Sequence, residues 1–155
     1  MSDSQGLYSE LKPDIEAVAM PLFNFSELCL KKRGNFLPHA AVLTADGEVK
    51  LVAATPDRNN DRTNATEVLP KLHQALRSQA EESPLRAIGV AENVTITPDG
   101  QATTQAIKVI FEHKRGRTIA LYLPFNKRLF KGYVFGTVYS VSAKPEIKAW
   151  QGNAP

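Results

Sequence analysis

Cysteine is nearly absent. The chain of 155 residues holds one, Cys29, so no internal disulfide is available, and a reducing compartment suits such a composition. Leu28 and Leu30 flank it, which marks it as a small buried apolar residue with no base at hand to activate a thiolate. No uncharged apolar stretch approaches the roughly 18 residues that a membrane span requires. Residues 1–5 show neither a basic start nor an apolar run, so no secretory leader and no membrane partner are expected, and a cytoplasmic setting is. Also missing are a Gly-rich phosphate loop, a Cys-x-x-Cys pair and a Gly-x-Ser-x-Gly elbow, each the signature of a particular chemistry. The three histidines, His39, His73 and His113, stand at no metal-ligand spacing, and no cofactor is expected.

What is present suits one globular domain. At 155 residues a chain buries about 68–70% of its unfolded surface and needs no metal or disulfide to hold together. Its charge is unevenly spread. Residues 1–28 carry Asp3, Glu10, Asp14, Glu16 and Glu27 against Lys12, a net of −4. Residues 105–131 carry Lys108, Lys114, Arg115, Arg117, Lys127, Arg128 and Lys131 against Glu112, a net of +6. Such asymmetry steers an anionic partner or solubilises exposed turns.

Residues 104–141 organise the rest. The run 106–113 alternates, with Ile107, Val109 and Phe111 opposite Lys108 and Glu112, and a polar turn carrying Gly116 makes an antiparallel hairpin with the run 118–123. A third run, 129–141, brings Tyr133, Phe135 and Tyr139. Upstream, residues 7–33 repeat Leu7, Leu11, Ile15, Val18 and Leu22 at helical spacing, and Lys31-Lys32-Arg33-Gly34 forms a basic last turn with a glycine stop. Pro13 opens a new helix there, and Pro21 kinks or splits it, with Asn24 or Ser26 capping the second piece. Runs 36–44 and 48–54 pair through Asp46-Gly47, a hairpin signal. Thr66 caps a second helix to about Ser83, whose apolar face is Val68, Leu69, Leu72, Leu76 and Ala80. Residues 85–96 then set Ile88, Val90, Val94 and Ile96 on one face and the small Ala87, Gly89 and Ala91 on the other, a face that either packs closely against something or stays partly open to carry partner contacts. The fold class follows as α+β: an antiparallel sheet of about six strands with both helices on one face. Residues 1–143 make the domain and 144–155 a tail anchored by Trp150.

The order resembles profilin-like and roadblock-like scaffolds, which imply no particular function. The segment Gly34-Asn35-Phe36-Leu37-Pro38-His39-Ala40-Ala41-Val42-Leu43 with Asp46-Gly47 is similar to a family of small bacterial proteins with no assigned activity. That resemblance implies a compact bacterial α+β domain and transfers no catalytic residue.

Two motifs look chemical and fail on inspection. Asp57-Arg58-Asn59-Asn60-Asp61 begins like a calcium loop, but Arg62 stands where that loop needs glycine and Val68 where it needs its bidentate glutamate. Lys131-Gly132-Tyr133-Val134-Phe135 resembles the aromatic octamer of RNA-recognition domains, yet the partner hexamer and strand order are lacking, so nucleic acid is not the expected ligand. What survives is a basic set with interleaved aromatics: Lys114, Arg115, Arg117, Lys127, Arg128, Lys131 and Tyr133. With the hairpin stacked as read, its two turns lie at opposite ends of the middle strand. The sequence thus favours a non-enzymatic domain binding a protein partner, an acidic one by charge, as an adaptor or immunity-type inhibitor does, with self-association a further use. The alternative is a small-molecule or hydrolytic domain with a pocket between helix and sheet that uses His39.

Overall fold

The computed structural model describes residues 2–53 and 65–150, so the polar loop expected at 55–62, with its calcium-like pattern, lies outside the described residues. Helix α1 (Ser2–Arg33) is continuous. It buries Leu11, Ile15, Val18, Ala19, Leu22, Phe23 and Leu30 as one stripe and ends where Gly34, at φ 78°, donates its N–H to Leu30 O at 2.9 Å. The new start expected at Pro13 and the split expected at Pro21 do not occur. Pro13 and Pro21 both stand off the buried stripe, and the carbonyls they orphan, four residues back, fall on the same outward side, where water can satisfy them. Ser26 accordingly caps nothing; its hydroxyl bonds back to Leu22 O at 2.8 Å.

Strands β1 (His39–Thr44), β2 (Val49–Ala53), β3 (Leu85–Ile96), β4 (Thr104–His113), β5 (Thr118–Arg128), β6 (Gly132–Phe135) and β7 (Tyr139–Ser142) build one antiparallel sheet. Its order is β2-β1-β3-β4-β5-β6, with β7 pairing the other end of β5. Both glycine turns anticipated in the sequence are there: Gly47 and Gly116 each sit at φ 94°, a conformation in which a Cβ is strained. The run expected as one strand at 129–141 is two, β6 and β7, which share β5 as their partner. No helix among the described residues is long and apolar enough to cross a membrane.

The class is α+β with an antiparallel sheet, but the two helices divide between its faces where the sequence suggested one face for both. Ala41, Leu43, Ala87, Ala91, Val109 and Phe111 pack with α1. The alternate residues Ala40, Val42, Ile88, Val90 and Ile110 pack with Leu72 and Leu76 of α2 (Ala65–Glu82). The small-residue face of β3 is the reason. A Cβ on Gly89 would lie 2.5 Å from Val18 Cγ1 and 3.0 Å from Leu22 Cδ1, so α1 rests almost directly on the strand backbone. The Ala-Gly-Ala face, read from the sequence as closely packed or open to a partner, is not open: it admits α1 at close range, where dispersion contacts with the backbone replace side-chain interdigitation.

The expected tail is part of the domain as far as it is described. Ile147 is fully buried in the second core. The carboxylate of Glu112, on β4 and only 3% exposed, accepts the backbone N–H groups of Glu146, Ile147 and Lys148 at 2.8, 2.6 and 2.9 Å. Arg77 of α2 donates to Ile147 O at 3.1 Å, and Lys108 pairs with Glu146 at 2.5 Å. Three main-chain donors converging on one desolvated carboxylate make charge-assisted bonds that water does not compete for.

Candidate functional site

Helix α1 runs antiparallel to β4. Its first half meets the far end of that strand, with Glu10 on Arg115 and Asp14 on His113, both at 2.9 Å. Its last turn meets β6, with Lys31 lying 5.8 Å from the Phe135 ring centroid. The acidic half of α1 therefore lies against one basic hairpin, and its basic end is delivered to the other.

These two hairpins are the two groups of cations found in the sequence, and the fold sets them at opposite ends of β5. At the β4–β5 turn Lys114 and Arg115 are exposed and Arg117 is half-buried. Arg115 is paired with Glu10, so part of this charge is answered within the chain. At the β5–β6 turn Lys127, Arg128 and Lys131 are exposed and Tyr133 is half-buried, with Lys127 Nζ 5.8 Å from the Tyr133 ring centroid and Phe125 packed behind that ring at 6.0 Å.

To the second group the fold adds Lys31, Lys32 and Arg33, which in the linear chain look like a helix end and nothing more. Together with Gly34, Lys127, Gly132 and Tyr133 they line an open cleft of about 370 Å³. Among the described residues none of the six cations Lys31, Lys32, Arg33, Lys127, Arg128 and Lys131 forms an ion pair. The nearest acid along α1, Glu27, stands one turn back. Beside the cleft projects the hairpin tip, Leu129 at 83% exposure and Phe130 at 97%. Phe130 is also held at φ 67°, unusual for a residue with a Cβ. A left-handed phenylalanine standing almost wholly in water contributes nothing to this domain's core.

Two of the three histidines are committed elsewhere. His39 is buried between Phe25 and Phe36, whose rings meet it edge-on at 4.7 and 5.6 Å. Its Nδ1 donates to Leu37 O at 2.9 Å, which leaves Nε2 bare toward Ser26 Oγ at 3.2 Å. Burial pushes its pKa down despite the backbone carbonyls that raise it. A serine and a histidine do meet here, but Ser26 is itself fully buried and bonded to Leu22 O, and none of the three principal cavities is lined by either residue. His113 has both nitrogens occupied: Nε2 on Asp14, and Nδ1 accepting the Arg115 backbone N–H at 3.1 Å. It lines a second cleft, of about 260 Å³, with Thr118 and Trp150. His73 on α2 is pushed down in pKa by burial and lies in the field of Glu146, Arg77, Glu112 and Lys108.

The chemistry on offer at the α1 end is anion recognition next to an apolar anchor. The sequence supplied the hairpin half of this site and missed Lys31, Lys32 and Arg33, because their proximity to residue 127 depends on the antiparallel run of α1 along β4. No family model, no curated protein and no solved structure matches this chain.

Proposed function

We propose that this chain is a non-enzymatic binding domain that recognises a protein partner with an acidic surface through the cleft and hairpin tip at the end of α1. One observation carries the reading: six cations from two distant segments, none ion-paired among the described residues, gather at the end of α1 and on the β5–β6 hairpin, whose tip leaves its leucine and phenylalanine in water. Exposed charge of one sign raises the encounter rate with a partner of the other sign. Affinity then comes from an apolar side chain entering a socket, and burying a phenylalanine is worth about 1.5–3 kcal/mol. The left-handed backbone at Phe130 supports this, since it holds the ring outward before any partner arrives. A reducing, cytoplasmic setting suits the free Cys29.

Binding to a poly-glutamate peptide tests the electrostatic half, followed with rising salt. Saturable binding should weaken steeply as salt screens the contact. It should be lost in Lys127→Glu/Arg128→Glu and kept in Arg115→Glu, whose guanidinium already serves Glu10. Equal loss in both variants, or no saturable binding at all, overturns the assignment to this face.

A further inference from the structure

Resting on that reading, we propose that the cleft between the end of α1 and the β5–β6 hairpin receives a phosphate monoester carried on a side chain of the acidic partner, a phosphoserine or phosphothreonine. The bland account of Lys31, Lys32 and Arg33 is that a basic last turn complements the helix dipole. That account does not reach Lys127, which comes from β5 and closes the same cleft from the other side. Four like charges gathered around one concavity repel each other, the half-charge at the helix end offsets only part of that, and a bound anion removes the remainder.

The valence of the ligand follows from the cations. A glutamate side chain brings one negative charge, whereas a phosphomonoester brings about −1.5 to −2 at neutral pH with three strong acceptor oxygens. It is the better match for three lysines and an arginine. The backbone leaves room for it. Gly34 and Gly132, at φ 78° and 69°, present no side chain to the cleft, and the Tyr133 hydroxyl is only 3.6 Å from where a Cβ on Gly34 would stand. A cleft of about 370 Å³ is larger than a phosphate group and admits the side chain that bears it. Its concave form favours a group projecting from a carrier over a flat bilayer surface.

Backbone amide shifts of the whole chain would be followed on titration with inorganic phosphate. The same titration would then use an acidic peptide carrying one phosphoserine and its serine counterpart. Phosphate should give saturable shifts centred on Gly34, Lys127 and Gly132, and the phosphopeptide should bind at least tenfold more tightly than the serine form. That preference should shrink as pH falls below about 6, where the phosphate loses its second charge. Lys127→Glu should abolish it and Arg115→Glu should leave it unchanged. Equal affinity for the two peptides, or shifts that chloride reproduces at the same ionic strength, overturns the phosphate site while the acidic-partner reading stands. Failure of both peptides to bind overturns both. Capture on vesicles containing a phosphoinositide, with no binding of the phosphopeptide, overturns the protein carrier.

Discussion

Replacing Gly89 with alanine puts a methyl group where the structure has no room for one. The new Cβ would sit 2.5 Å from Val18 Cγ1 and 3.0 Å from Leu22 Cδ1. Both partners are fully buried and sit on one helix turn, so neither can rotate away without α1 lifting from β3. Overpacking of this kind costs about 1–3 kcal/mol. Alanine also recovers about 0.4–1 kcal/mol by restricting the unfolded chain, because Gly89 is not in a left-handed conformation. The net loss is about 1–2 kcal/mol, which for a chain of this size lowers Tm by roughly 2–8 °C. Urea unfolding at constant m-value, with a thermal scan beside it, measures this. The decisive control is Val18→Ala. Alone it opens a cavity and destabilises; on the Gly89→Ala background it should cost less by about 1 kcal/mol, since the two side chains compete for one space. A Gly89→Ala protein as stable as the parent, or additive double-mutant behaviour, would refute the claim that α1 rests on the strand backbone.

Other perturbations probe other parts of the molecule. Glu112→Ala leaves three backbone donors of residues 146–148 without their acceptor, so stability should fall by at least about 2 kcal/mol; Trp150 fluorescence should shift red as its segment loosens, and an unchanged spectrum with unchanged stability would remove the anchor. Gly47→Val places a β-branched residue at φ 94° and should cost about 1–3 kcal/mol in thermal unfolding. The pH dependence of stability should show His39 and His73. Burial lowers the pKa of His39 and His73 in the folded chain, so the unfolded chain takes up protons first as the pH falls. Stability is therefore complete above the ordinary histidine value of about 6.5 and declines below it. Urea midpoints at about pH 7.5 and about pH 5.5, one on each side of that value, should differ in this direction, and His39→Gln should shrink the difference.

Much of this architecture is legible in the sequence. The strand 85–96, the glycine turns at 47 and 116 and the second helix all follow from alternation, positive-φ residues and apolar spacing, which are local properties. What sequence reading loses depends on what lies opposite. The face Ala87, Gly89, Ala91 signals either close packing or an open surface, and only Val18 and Leu22 pressed against it show that it is a helix seat. Pro21 signals a break in any isolated helix, yet the buried stripe of α1 avoids it and packing overrides the propensity. Glu112 looks like an outward charge on an alternating strand until the chain returns thirty-odd residues later to cover it. The cleft is the same case: its lysines are visible one by one, and their convergence is a property of topology.

The seat of α1 on β3 also dictates a timetable. The helix is the first element of the chain and Gly89 belongs to the third strand, so Val18 and Leu22 meet their binding surface only after about 70 further residues have been added, which at ribosomal rates of 5–20 residues per second is roughly 4–14 s. Throughout that interval only the β1–β2 hairpin, through Ala41 and Leu43, is there to cover the apolar stripe of this 32-residue helix. The nascent chain is thus most vulnerable early, and a trigger of misassembly is built into the element order itself. A circular permutant that places α1 after β7 should shorten that exposure and raise the soluble yield at a high rate of synthesis.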